Sequence, residues 1–137
     1  MTGLELQLLA GAYAVSRLSP DEPLPDWARG ELQALIRTPD ELSIVSTADS
    51  VPESVRSEPG WRVLWVAGPL DFSLVGILAT LTGALARADI AVFSLSTFDT
   101  DYLLVRECDL ERALRALESD GHRITPASDA RPGQGGK

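Results

Sequence analysis

Two apolar runs at helical spacing, each set among short strand-like segments, constrain the fold of this chain more than any other feature. Leu74, Ile77, Leu78, Leu81 and Leu85 recur at intervals that line one face of an amphipathic helix, and Ser73 stands where an N-cap belongs. Leu110, Ala113, Leu114 and Leu117 repeat the pattern, with Asp109 as the expected N-cap and Gly121 placed to end the helix in a left-handed conformation. A helix with one apolar face needs a surface to cover, and strands rich in Val, Leu and aromatic residues are available at 62–67, 91–96 and 101–106, with a short return strand at 122–125. The order strand, helix, strand, strand, helix, strand is that of a ferredoxin-like unit.

The first half repeats part of this plan at an offset of 60 residues, which sets Leu35 on Leu95, Glu41 on Asp101, Val45 on Val105 and Asp49 on Asp109. Residues 33–37 and 42–46 read as strands joined through Thr38-Pro39-Asp40-Glu41. Ser50 and Glu53 have capping-box spacing, which predicts a short helix ended by Pro59-Gly60. The other helix of the copy is missing: Pro20, Pro23 and Pro25 forbid it, and Tyr13 to Leu18 alternates as a strand after an Ala10-Gly11 turn. The apolar stretch from Leu8 to Val15 is preceded by Glu5 and by no Lys or Arg, so it reads as folded strand and not as a signal-peptide core. The expected division is a degenerate N-terminal unit at 1–60, a complete unit at 61–125 and a disordered tail at 126–137, where Pro132-Gly133 and Gly135-Gly136 fall. The fold class is therefore α+β, with two ferredoxin-like (βαββαβ) units sharing an antiparallel sheet and helices on one face.

Charge and composition narrow the partners. Over 137 residues, 12 basic side chains face 20 acidic ones, a net charge of −8, so the chain lacks the basic footprint that phosphate backbones require. Nucleic acid and anionic membranes are poor partners, and no run of about 18 apolar residues exists to span a bilayer. One cysteine, Cys108, and one histidine, His122, cannot form an internal disulfide or supply a four-ligand zinc site, so a reducing cytoplasm is expected, with no metal and no cofactor.

Two segments could hold a ligand. Gly68-Pro69-Leu70-Asp71-Phe72-Ser73-Leu74-Val75-Gly76-Ile77 leaves a strand and enters a helix, where unpaired backbone N–H groups attract anions. Taken alone it reads more readily as a turn, a cap and a point of close helix packing. Ser96-Thr97-Phe98-Asp99-Thr100-Asp101 is a polar hairpin whose carboxylates serve either solubility or a ligand's cation.

These same segments, 68–78 and 94–105, closely resemble the small bacterial tandem ACT-domain proteins, which are similar in turn to the ACT pairs of cytosolic arginine sensors and of aspartokinases. The likeness runs from about Leu6 to Ile124, since 12–18 and 38–45 also look like that family. It implies non-catalytic binding of an amino acid or similar small molecule, with a regulatory role through an unidentified protein partner. Matched position by position, it implies that Asp71, Phe72, Ser73, Leu74, Val75, Gly76 and Ile77 form the ligand-holding turn, faced by Thr97, Phe98 and Asp101. In the first unit Gly11, Ala12 and Tyr13 fall opposite Asp71, Phe72 and Ser73 with no helix after them, so one site per chain is expected. A homodimer is expected from exposed sheet edges.

Enzymatic readings are weaker. No Gly-rich phosphate loop ending in Gly-Lys-Ser/Thr occurs, and a Ser-His-Asp arrangement would depend on His122, which reads as a solvated residue at a strand start. Asp99 and Asp101 lack any accompanying sugar cleft. The alternatives to a sensor are an interaction module without a ligand and, more remotely, a small hydrolase or transferase.

Overall fold

The computed structural model describes residues 3–67 and 76–126. Its elements are β1 (Glu5–Leu8), β2 (Tyr13–Leu18), β3 (Ala34–Arg37), β4 (Leu42–Thr47), β5 (Arg56–Val66), α1 (Ile77–Arg87), β6 (Val92–Ser96), β7 (Asp101–Arg106), α2 (Leu110–Ser119) and β8 (Arg123–Thr125). The fold is α+β, as the sequence pattern predicts. Two compact units form: Met1–Ala10 with Arg62–Lys137, and Gly11–Trp61.

The first unit contains both helices. Its strands run in the order β8-β1-β5-β7-β6. Leu64 and Val66 of β5 and Leu103 and Val105 of β7 present one face, on which Ile77, Leu81, Ala84 and Leu85 of α1 and Ala113 and Leu117 of α2 pack. All ten are buried, and this shared core is why both helices sit on the same side of the sheet.

The N-terminal strand departs from the expected division at residue 60. β1 groups with residues 62 onward, inserted between β5 and β8, antiparallel to the first and parallel to the second. The cause is visible in Leu4, Leu6 and Leu8, whose period of two sends all three toward the helices' core. Backbone bonds from Ala67 N–H to Glu5 O and from Arg123 N–H to Leu4 O, both short of 3 Å at 2.8 and 2.9 Å, hold it there.

Both helices end in the same way. In α2 the N–H of His122 donates to Leu117 O and that of Gly121 to Glu118 O, with Gly121 at φ 92°, the left-handed closure expected from the sequence. In α1 Ile90 donates to Leu85 O and Asp89 to Ala86 O, and here a non-glycine, Asp89, takes the left-handed position at φ 62°. The apolar contact that accompanies this closure explains why Ile90 and His122, the residues just after each, are buried. His122 is 5% exposed, which corrects the reading of a solvated side chain.

The second unit has strand order β3-β4-β2-β5 and no α-helix among its described residues. The short helix expected after Ser50 does not form. A 3₁₀ turn, Ala48–Ser50, stands there instead, and Ser50 Oγ donates back to Thr47 O at 2.8 Å. Val51, which precedes Pro52, is extended at φ −81° and ψ 125°, because a proline disfavours helical backbone in the residue before it. Pro59-Gly60 likewise ends no helix: it lies inside β5, where the register shifts from Tyr13↔Trp61 to Val15↔Glu58 and Gly60 adopts φ 89°. That bulge is the use a strand makes of a glycine flanked by proline. The expected tail lies, apart from residue 126, outside the described residues.

Candidate functional site

The expected ligand turn joins β5 to α1. Asp71, Phe72, Ser73, Leu74 and Val75 lie outside the described residues, while Gly76 and Ile77 open the helix. Gly76 occupies the N-cap position in a left-handed conformation at φ 82° and ψ 10°, so the helix starts three residues later than a Ser73 cap would give. Having no side chain, Gly76 satisfies none of the first-turn donors. Its carbonyl accepts from Thr80 N–H at 2.8 Å and begins the ladder, leaving the N–H groups of the first turn outside it. Ile77 is buried in the core, so only its backbone is available to a ligand.

The hairpin expected to face this turn is tightly built. Thr97 N–H donates to Thr100 O at 2.8 Å, and Thr100 N–H donates to Thr97 Oγ1 at 3.1 Å, closing the turn from both sides. Thr100 is buried, and its hydroxyl donates a short hydrogen bond to Val66 O, the last residue of β5. The turn is thus pinned to the end of the strand from which the 68–75 connection departs. Among the expected site residues this brings Thr97 and Asp101 to the start of that connection.

Asp101 pairs directly with Ser96 across the hairpin, and Ser96 Oγ donates to its Oδ1 at 2.7 Å. The carboxylate is half-buried and oriented by this bond, which leaves Oδ2 as a further acceptor. Asp99, in the turn, is exposed. Phe98 is 82% exposed, so its ring stands out from the unit's core. The acid at the offset-equivalent position, Glu41, is engaged otherwise: it accepts from Ser43 Oγ at 3.2 Å and lies 3.7 Å from Arg17.

Sequence reasoning missed Thr100 and Ser96, although both were legible. A four-residue connection between two antiparallel strands places 96 opposite 101, and a threonine between two polar turn residues is a ready donor. No cluster of His, Cys, Asp and Glu able to hold a metal occurs among the described residues. Cys108 is exposed, its thiol 4.0 Å from Asp109 Oδ1, and His122 Nδ1 is occupied as an acceptor for Leu4 N–H. No helix among the described residues is long and apolar enough to cross a membrane.

Comparison with known proteins follows the same segments. A family model described as an ACT domain matches residues 56–119, and a second model, for an N-terminal domain, matches 11–54. A crystal structure of an Agobacterium tumefaciens protein is 38% identical, covers 96% of this chain and 98% of its own, and superposes with a TM-score of 0.88. Human cytosolic arginine sensor for mTORC1 subunit 1 is 39% identical over 59 residues, which are 42% of this chain and 18% of the sensor's length. Aspartate kinase from Synechocystis shares the fold, with a TM-score of 0.67 at 17% identity over 95% of this chain and 28% of the kinase.

Proposed function

Since this chain belongs to the ACT-domain family, we propose that it is a non-catalytic regulatory protein that binds a free amino acid in the unit formed by Met1–Ala10 and Arg62–Lys137. The observation that carries the reading is the Thr100–Val66 bond, which seats the Asp101 hairpin at the end of β5, where the connection to an uncapped helix begins. In this reading the ligand carboxylate takes the backbone N–H groups of the first turn at Gly76 and Ile77, where the helix dipole also favours an anion. Asp101 Oδ2 receives the α-ammonium or a cationic side chain while Ser96 holds Oδ1. The family likeness assigns Thr97 and Phe98 to the same site, together with Asp71, Phe72, Ser73, Leu74 and Val75.

Similarity to a cytosolic arginine sensor supports an amino acid as ligand and a cytoplasmic setting. Three strands, β3, β6 and β8, have a single neighbour each among the described residues, and a second copy of the chain pairing along such an edge is the proposed assembly. Sedimentation at micromolar concentration checks this, and a strict monomer with and without ligand counts against it.

Thermal shift across the free amino acids tests the central reading, because a ligand selective for the folded state raises its apparent stability. Asp101→Asn keeps an acceptor for Ser96 but loses the charge-assisted contact, so affinity should fall by roughly tenfold or more, corresponding to about 1.5–3 kcal/mol. The unliganded melting temperature should hardly change. No shift with any amino acid, or unchanged affinity in Asp101→Asn, overturns the assignment.

A further inference from the structure

The unit Gly11–Trp61 carries a groove of about 730 Å³, a volume suited to a small molecule, along the ends of β2 and β5. Arg17 and Arg56 are direct cross-strand partners there, so two cations lie side by side on one face, an arrangement that costs stability unless an anion offsets it. Arg17 is compensated: it donates to Asp40 O at 3.0 Å and lies 3.7 Å from Glu41. Arg56 has no such partner among the described residues. Glu22 and Asp26 also line the groove, their carboxylates outside any ion pair among the described residues. The lining also includes the apolar side chains of Trp27 and Leu24, the latter 64% exposed despite its size.

The lining is stiff as well. Pro23, Pro25 and Pro52 have fixed φ, and Arg37 donates a short bond to Pro20 O at the root of the segment. Little ordering cost therefore remains for a ligand that enters. An oxyanion alone would meet the two carboxylates, and a cation alone would meet the two arginines. A molecule with both charges and an apolar body complements this mixed lining.

We propose that this groove is a second small-molecule site, which takes a zwitterion bearing an apolar side chain: its carboxylate on Arg56 beside Arg17, its ammonium toward Glu22 and Asp26, its side chain on Trp27 and Leu24. The site shares no residue with the one around Asp101. It is independent of that reading.

The test is a two-dimensional NMR titration of the whole protein with L-phenylalanine, L-leucine and L-methionine at millimolar concentration, with N-acetyl-L-phenylalanine and phenethylamine as probes that each lack one charge. Binding of at least one zwitterion should move the amide resonances of 17–27 and 52–56 and the Trp27 indole signal, and both single-charge probes should bind at least about tenfold more weakly. Arg56→Gln, an exposed strand substitution, should weaken the zwitterion by about the same factor while Asp101→Asn leaves these shifts intact. If no zwitterion moves these resonances, if N-acetyl-L-phenylalanine or phenethylamine binds as well, or if Arg56→Gln has no effect, the groove is not such a site. Shifts confined to 76–101 overturn the second site and leave the first standing.

Discussion

The backbone N–H of Leu4 donates to Nδ1 of His122 at 3.0 Å, joining residues 118 positions apart in sequence. Accepting through Nδ1 requires that nitrogen to be bare, so the imidazole is the neutral tautomer with its proton on Nε2. Nε2 is buried without a hydrogen-bond partner among the described residues. The side chain therefore holds the entry of β1 against the end of α2, a packing and alignment role.

Two NMR measurements check this. Long-range nitrogen–proton correlation should show His122 protonated on Nε2 at neutral pH. In His122→Phe, which keeps the ring's bulk, the Leu4 amide should lose its hydrogen-exchange protection while amides of α2 keep theirs. Unchanged protection at Leu4 would mean that the strand ladder alone orders this end.

Gly3 reports on the same corner. A Cβ built on Gly3 would lie 1.9 Å from Gly121 O, a backbone atom that cannot swing aside. Gly3→Ala must therefore displace the start of β1 or the end of α2, and overpacking of this kind costs roughly 1–3 kcal/mol. Urea unfolding measures it. A change within experimental error would show that the two backbones are not held this close in solution.

Asp89 sits in left-handed backbone at φ 62°, the position that Gly121 fills at the end of the other helix. Asp89→Gly should relieve that strain and raise stability by about 0.5–1 kcal/mol, offset in part by the added freedom of glycine in the unfolded chain. Asp89→Val, β-branched at the same φ, should lose stability instead. Equal stability of all three forms would show that the closure tolerates any residue.

How far the sequence foretells this structure depends on whether a signal is local. β7 and the two core helices follow from periodicity, because Leu81, Leu85, Ala113 and Leu117 each mark a face at short range. The insertion of β1 does not: Leu4, Leu6 and Leu8 announce a strand with one buried face, but nothing nearby says that its neighbours are β5 and β8, which are far along the chain. Val51-Pro52 shows a different failure. The Ser50–Glu53 spacing is a genuine cap signal, and the proline inside it decides against the helix. At the candidate site, Asp101 is legible from residue type and its Ser96 partner from hairpin register. Thr100's bond to Val66 depends on the pairing of β7 with β5, which no local pattern encodes.

That bond carries the last prediction. Thr100 is buried and its hydroxyl donates to Val66 O, so Thr100→Val preserves shape but withdraws the donor and strands a carbonyl at the end of β5. Leaving such a group unsatisfied costs about 1–3 kcal/mol. Thr100→Ser keeps the hydroxyl and should lose much less, since only a methyl is removed. The turn itself should survive in both, because its closure through the Thr97 hydroxyl and the Thr100 backbone is untouched. If the hairpin is part of the ligand site, Thr100→Val should also weaken amino-acid binding without altering the Ser96–Asp101 pair, as the hairpin loses its anchor to the strand that leads into the helix. Denaturation with Thr100→Val and Thr100→Ser in parallel separates the outcomes. Equal stability of the two variants would show that the hydroxyl contributes nothing and that strand pairing alone seats the hairpin.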